Sequence, residues 1–303
     1  MKKTLLFLTM AASTALASAT ELPLWPEGVP GARNIGAELR KDGYLSNVSA
    51  PSLTMVPAAV DRPNGTAVII APGGGYVRES FAREGLQYAN WLSTLGVTSF
   101  VLAYRMQEFG HPAPLQDVLR AVRLVRSRAA ELGIDPARIG VLGSSAGGHL
   151  AASAGTLFNH PLGRTGAALD ATSARPDFLM LMYPVITLDG PAAHQGSRKS
   201  LLGAAPTLEL LQLMSLERQV TPHTPPTLLI HTQADQSVPV ENSILFYQAL
   251  TRNKVPAEMY LFEQGAHGMG MRDNLGTASA WPKRAEEWLK ARGLLAAPAP
   301  APR

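Results

Sequence analysis

Ser145 stands at the centre of Gly143-Ser144-Ser145-Ala146-Gly147, directly after the apolar run Ile139-Gly140-Val141-Leu142. A serine on a sharp strand-to-helix turn is presented for attack on a carbonyl carbon, and small residues two before and two after keep that turn from colliding with its neighbours. The adjacent Ser144 does not fit, because position 142 is Leu rather than Gly. The helix expected to follow points its N-terminus at the reacting oxygen, where partial positive charge favours an anion.

A serine hydroxyl needs a base. On turns of this kind the chain order is Ser, then acid, then His. Of the seven histidines, His111 precedes the serine. His149, His160, His194, His223 and His231 come too early to leave a strand-end acid before them. His267, in Gly265-Ala266-His267-Gly268, comes late, in a loop after an expected strand. Acid candidates are Asp170, Asp177, Asp189, Asp235, Glu241 and Glu263. Asp235 alone follows a convincing strand directly, with Pro239 opening the next helix. It would accept the imidazole N–H, fix the tautomer and stabilise the imidazolium. The tetrahedral oxyanion needs backbone donors. One is the N–H of Ala146, and others should come from Pro72-Gly73-Gly74-Gly75-Tyr76, where three glycines allow close backbone approach.

These residues must be held by alternating strands and helices. Ser52–Val56, Thr66–Ala71, Val97–Ala103, Arg138–Leu142, Phe178–Tyr183, Thr227–His231 and Ala257–Phe262 read as strands. Helical spacing runs over Phe81–Leu95, over the stripe Leu115, Val118, Leu119, Val122 and Val125, over Ala146 to Phe158, over Val240 to Leu250 and near Ala280 to Leu289. The alternation predicts an α/β fold with a mostly parallel central sheet and helices on both faces. Residues 20–50 read as an irregular lead-in. Residues 186–225 break the rhythm and read as a small cap insert over the sheet's carboxyl edge, with short helical pieces around Ser200–Leu202 and Leu208–Met214. The expected division is a signal peptide over 1–19, one domain over 20–293, and a Pro-Ala tail over 294–303.

Met1-Lys2-Lys3, the apolar stretch from Leu5 to Leu16 and Ala17-Ser18-Ala19 have the layout of a secretory leader. The apolar run falls short of the ~20 residues needed to span a bilayer. Export to the periplasm or the medium is therefore expected, with no stable membrane association after cleavage. Removing Lys2 and Lys3 leaves 25 basic against 23 acidic residues, and no basic cluster interleaves with aromatics, so nucleic acid is not expected as a partner. The absence of cysteine excludes thiol catalysis and disulfides. There is no His-Glu-x-x-His pattern and no tight His/Asp cluster, so neither a metal nor a cofactor is implied.

With these residues in hand, the chain resembles the α/β-hydrolase superfamily, and within it exported bacterial esterases of the acetyl-xylan-esterase-like and hormone-sensitive-lipase-like groups. The resemblance runs from about Leu22 to Leu289. It is carried by Pro72–Tyr76, Glu84-Gly85, Tyr104-Arg105, Pro114–Asp117, Gly143–Ala151, Pro225–Thr227, Asp235–Ser243 and Gly265–Gly268. It implies Ser145, Asp235 and His267 as the catalytic triad, and Gly74, Gly75 and Ala146 as oxyanion donors. The lipase-like group has His where this chain has Pro72, which favours the carbohydrate acetyl-esterase side. The resemblance also implies structural ion pairs for Glu84, Asp117 and Arg120. His194–Arg198 resembles a cap-loop motif of the same group, which puts Ser197 in the substrate pocket.

The expected function is hydrolysis of a carboxylic ester through an acyl-enzyme. Xylan-derived acetyl esters are the favoured substrate, with feruloyl or general short-chain esters as the alternative. Among aromatics, Trp25 and Tyr76 are the sugar-contact candidates by position, whereas Trp281 and Trp288, seven apart on one helical face, read as core. A prolyl-oligopeptidase-like peptidase usually carries a propeller domain, for which the chain has no room. A dehalogenase needs Asp at position 145. A binding module on a hydrolase scaffold usually loses Ser, Asp or His, and all three are here.

Overall fold

The computed structural model describes residues 20–61 and 63–297. The leader expected over 1–19 and the last six residues of the expected tail lie outside the described residues. In chain order the elements are β1 (Thr20–Pro23), β2 (Leu39–Lys41), β3 (Tyr44–Ser46), β4 (Ser52–Val56), β5 (Ala67–Ala71), a π-helical turn Phe81–Leu86 running into α1 (Gln87–Thr94), β6 (Thr98–Ala103), α2 (Ala113–Ser127), β7 (Ile139–Ser144), α3 (Ala146–Thr156), β8 (Phe178–Met182), α4 (Gln195–Leu202), α5 (Leu208–Leu213), β9 (Thr227–Thr232), α6 (Glu241–Arg252), β10 (Ala257–Phe262) and α7 (Trp281–Ala291).

Eight strands form one sheet in the order β1-β4-β6-β5-β7-β8-β9-β10. The pairs β1–β4 and β4–β6 are antiparallel, and every pair from β6 to β10 is parallel. Strands β5 to β9 are buried along their whole length. That is why they read as unbroken apolar runs rather than alternating ones: both sheet faces are covered by helices. On one side α1 and α7 meet through Trp281, edge-on to Tyr88 and Trp91 at ring-centre distances of 5.5 and 5.2 Å. On the other, α2 and α3 pack together, with the expected stripe Leu115, Val118, Leu119, Val122 and Val125 buried.

The lead-in is not irregular throughout. Thr20–Pro23 forms the outer antiparallel strand, and Leu39–Ser46 folds as a hairpin of its own. Its two-residue turn is Asp42-Gly43, with φ of 52° and 78°, and the mirror-image turn of such hairpins needs positive φ at both central residues. The Asp-Gly pair was the available sequence signal.

The insert over 186–225 carries α4, α5 and a short turn at Leu216–Arg218. Its start is clamped. The Asn242 carboxamide accepts from the N–H groups of Ile186 and Thr187, and Leu216 N–H donates to the Ile186 carbonyl. At the C-terminus, Leu294 is buried and its carbonyl accepts from the Thr66 hydroxyl, while Arg138 holds the carbonyls of Gly293 and Ala296. The folded part therefore extends past the expected boundary at 293.

Candidate active site

The turn between β7 and α3 presents Ser145 at φ 54° and ψ −121°, a conformation that non-glycine residues seldom adopt. The surroundings determine it. Ser145 N–H donates to the Met182 carbonyl, and the Ser145 carbonyl accepts from Val185 and His149 N–H. The flanking glycines have no spare room. A Cβ on Gly143 would lie 2.0 Å from the Gly147 carbonyl oxygen, and a Cβ on Gly147 would lie 2.0 Å from the Ala71 carbonyl oxygen. Ser144 points inward, is fully buried, and donates to the Tyr88 hydroxyl at 3.2 Å.

Ser145 Oγ is 2.9 Å from His267 Nε2, and His267 Nδ1 is 2.6 Å from Asp235 Oδ2. The three side chains come from the ends of β7, β10 and β9, all at the carboxyl edge of the sheet. Asp235 Oδ1 also accepts from Ser237 and Val238 N–H at 2.8 and 2.9 Å, and His231 Nε2 lies 3.4 Å from Oδ2. Burial alone would raise the Asp235 carboxyl. The partners His231 and His267 and the Val238 N–H outweigh it, and hold the group well below the ordinary carboxylate range. A carboxylate on Nδ1 fixes the proton there and leaves Nε2 to accept from the serine. His231 comes too early in the sequence to serve as the base, and it does not. Its place behind the acid, with Nδ1 on Ser243 Oγ at 2.8 Å, had no sequence signal.

The loop after β5 is tied at several points. Pro72 C=O accepts from the Tyr104 hydroxyl at 2.7 Å, Gly73 N–H donates to Glu84 Oε2 at 2.9 Å, Gly73 C=O accepts from Ser80 N–H, and Gly74 C=O accepts from Val77 N–H. The N–H groups of Gly74, Gly75 and Ala146 have no hydrogen-bond partner among the described residues. Gly74, at φ 140°, is the position where only glycine fits: a Cβ there would lie 1.9 Å from the Arg78 carbonyl oxygen.

Gly74, Gly75, Ser145 and His267 open into a cavity of about 320 Å³, also lined by Tyr44, Arg78, Ser80, Arg83, Glu84, His194, Ser237 and Gly268. A larger groove of about 630 Å³ lies across α4, lined by Gln107, Phe109, His111 and Lys199, and contains none of these groups.

Several expected contacts are displaced. Tyr76 is buried behind the glycine loop, its hydroxyl 2.9 Å from His149 Nδ1, and it does not line the cavity. His149 in turn reaches the Met214 carbonyl through Nε2 at 2.8 Å, so it joins the glycine loop to the insert. Ser197 is also fully buried. It bonds His194 Nδ1 through its hydroxyl at 2.8 Å and its N–H at 3.2 Å, which leaves His194, not Ser197, facing the cavity. Trp25 lies in the core and donates to Asp117. The aromatic that lines the cavity is Tyr44, on the hairpin missed in the sequence.

Asp117 and Arg120 do make ion pairs, with Arg105 and Glu27. Glu84 does not. It is buried, accepts from Gly73 N–H and from the Tyr183 hydroxyl at 2.7 Å, and burial pushes its carboxyl above the usual value. Tyr183 sits at φ 36°, its ring edge-on to His267 with centres 5.0 Å apart, and its hydroxyl lies 3.1 Å from that of Tyr88. Glu84 and Tyr183 thus link the glycine loop to the ring that backs His267. Nothing in the spacing of Tyr183 announced this.

The BD-FAE family model matches residues 55–250. The chain belongs to the BD-FAE family. Over 206 residues it is 40% identical to endo-1,4-beta-xylanase B of Butyrivibrio fibrisolvens, covering 67% of this chain and 32% of that protein. Over 220 residues it is 33% identical to an acetylxylan esterase of Xylanibacter ruminicola, covering 71% of this chain and 43% of that one. The chain thus spans less than half the length of these two curated relatives. Among solved structures, it superposes on an acetyl ester-xyloside bifunctional hydrolase from Caldicellulosiruptor lactoaceticus with a TM-score of 0.80 and 39% identity, covering 93% of this chain and 99% of that one. The carboxylesterase Cest-2923 of Lactobacillus plantarum follows the same fold at 27% identity and a TM-score of 0.69, covering 86% of this chain and 98% of that one. The fold of this family member is the α/β-hydrolase fold expected from the sequence.

Proposed function

We propose that the chain is a serine carboxylic-ester hydrolase that removes acetyl groups from xylan-derived carbohydrate. The observation that carries this reading is the line Ser145 Oγ–His267 Nε2 at 2.9 Å and His267 Nδ1–Asp235 Oδ2 at 2.6 Å, beside three unpartnered backbone N–H groups. The names of the acetylxylan esterase and acetyl ester-xyloside hydrolase relatives support the acetyl and xylan parts of it.

In this mechanism His267 Nε2 takes the proton from Ser145 as Oγ bonds to the ester carbonyl carbon. The oxyanion forms against the N–H groups of Ala146, Gly74 and Gly75, which need no reorganisation as charge develops. Collapse breaks the carbon–alkoxy bond, and His267 hands its proton to the leaving alcohol. Water then attacks the acyl-serine. Its proton goes to His267, and the carbon–Oγ bond breaks with return of that proton to Ser145. Asp235, held as a carboxylate, stabilises the imidazolium in both halves. Both His194 acceptor contacts are on Nδ1, so its N–H is at Nε2, available to a substrate oxygen in the cavity. The leader over 1–19 would deliver the enzyme to an external polymer.

Acetate release from acetylated xylo-oligosaccharides, measured beside p-nitrophenyl acetate and a Ser145→Ala control, tests this reading. Release from both substrates, reduced on the order of 10⁴-fold or more in the variant, is expected. Turnover of the activated ester alone would keep the chemistry and move the natural substrate to feruloyl or other short-chain esters.

A further inference from the structure

The cavity over Ser145 does not end at the catalytic groups. It shares Tyr44, Ser80 and Arg83 with a hollow of about 150 Å³ that continues to Asp42 and Gln87. That hollow shares Asp42, Gly43, Tyr44 and Ala82 with a third of about 240 Å³, bordered by Arg40, Lys41 and Phe81. The cavity and the adjoining hollow form a groove beside the β2–β3 hairpin; the third hollow lies past the seam where Ala82 N–H donates to the Gly43 carbonyl, and Tyr44 borders all three.

The charge along this groove is unbalanced. Arg78 and Arg83 line the mouth, and neither has a carboxylate within 4.0 Å or donates a side-chain hydrogen bond among the described residues. The Arg78 guanidinium lies 4.0 Å from the centre of the Tyr44 ring, which orients it as a flat plate while leaving its N–H groups unused. Further out, Arg40 is paired with Glu38 and Glu21, and Lys41 and Asp42 offset each other at the turn. The remaining acid in the wall is Glu84. It is 4% exposed, its two oxygens accept from Gly73 N–H and the Tyr183 hydroxyl, and it feels the charge of Arg83 without forming an ion pair with either arginine among the described residues.

We propose that this groove binds the alcohol side of the ester and selects an oligosaccharide that carries a carboxylate, a uronate sugar near the acetylated one. The inference rests on the carbohydrate-esterase reading. An acetyl group is far too small to fill a cavity of about 320 Å³ with an adjoining hollow, so the larger partner of the ester occupies it. A guanidinium with free N–H groups matches a carboxylate with paired, charge-assisted hydrogen bonds, which a neutral sugar cannot supply. Tyr44 offers the ring against which a sugar lies, in the role that the buried Trp25 and Tyr76 cannot fill.

The test compares kcat/KM for acetate release from two sets of acetylated xylo-oligosaccharides matched in length and acetylation, one neutral and one bearing a glucuronate branch. The acidic set should be favoured by about five- to tenfold at low salt, mostly through KM, and the preference should shrink in 0.5 M NaCl as screening shortens the reach of the arginines. The Arg78→Gln/Arg83→Gln double variant should bring the acidic-to-neutral ratio close to one. Equal kcat/KM for both sets, or a ratio unchanged in the double variant, overturns the inference while the esterase reading stands. Release from neither set, with p-nitrophenyl acetate still hydrolysed, overturns the carbohydrate reading and this inference with it.

Discussion

The floor and the mouth of one cavity are built in opposite ways. At the floor, Gly143, Ser145 and Gly147 are held by backbone hydrogen bonds and by contacts with no space for another carbon. At the mouth, Tyr44, Arg78 and Arg83 stand on a two-stranded hairpin, a loop and a π-helical turn, partly or fully exposed, with guanidinium groups left without carboxylate partners among the described residues. Bond-making chemistry tolerates errors of only a fraction of an ångström, so the floor is over-determined. Choice among substrates needs only favourable charge and shape, so the mouth is lightly tied. Stability therefore resides in the floor and specificity at the rim, and a substitution should affect one and spare the other.

The largest stability effect is expected at Gly147. The Gly147→Ala change puts a carbon 2.0 Å from the Ala71 carbonyl oxygen, so the backbone must shift, at a cost of about 3 kcal/mol or more, whereas Arg78→Gln should stay within about 0.5 kcal/mol. Urea unfolding of both variants checks this contrast. Similar losses in the two would break the division between floor and mouth.

Glu84 comes next, because it spans the two regions. Glu84→Ala leaves the buried Gly73 N–H and Tyr183 O–H without their acceptor, at about 2–4 kcal/mol. It also releases the glycine loop that carries two of the proposed oxyanion donors. kcat for p-nitrophenyl acetate should fall about 10- to 100-fold, with KM changed less, since the donors act on the transition state. A loss confined to KM would mean that Glu84 serves binding instead.

A further effect is pH-dependent and comparable in size only at the acid end. Burial, together with the charge of His111, pushes His149 down to about 4 from an ordinary value of 6.5, against the pull of the Met214 carbonyl. In the unfolded chain His149 takes up a proton as pH falls through 6.5, and in the folded chain only near 4. Stability is therefore full above 6.5 and is lost progressively as pH falls toward 4, by on the order of 3 kcal/mol. His111, pushed down to about 4 mainly by burial, acts in the same direction. Glutamine keeps an acceptor for Tyr76 and a donor for Met214 without titrating. Unfolding free energies of His149→Gln between pH 7 and 4 should therefore slope less than those of the parent, and an equal slope would remove His149 from the account.

The same contrast decides what could be read in the sequence. Strands β5 to β9 were legible because burial on both faces leaves unbroken apolar runs, and the turn at Ser145 because steric limits demand glycine at 143 and 147. Asp235 and His267 were legible from chain order and from their places after strands. Glu84 and Tyr183 were not: their roles depend on which distant groups the fold brings to them, the Gly73 N–H and the His267 ring. Tyr76 and Trp25 misled because an aromatic beside a glycine loop or in a Pro-rich lead-in looks exposed. Both instead fill the core, with their polar atoms on His149 and Asp117. Tyr44 followed the one readable signal in its region, the Asp42-Gly43 turn, which marked a hairpin rather than a loose segment.

The central claim is that Ser145, and not its neighbour Ser144, attacks the ester. Ser145 Oγ faces His267 at 2.9 Å, whereas the Ser144 hydroxyl is buried against Tyr88. Treatment with an aryl phosphonate ester, followed by peptide mapping by mass spectrometry, reads this directly. The account predicts one phosphonyl adduct, on Ser145, formed in step with loss of activity and much more slowly in a His267→Ala variant. An adduct on Ser144, or loss of activity with Ser145 unmodified, would contradict it.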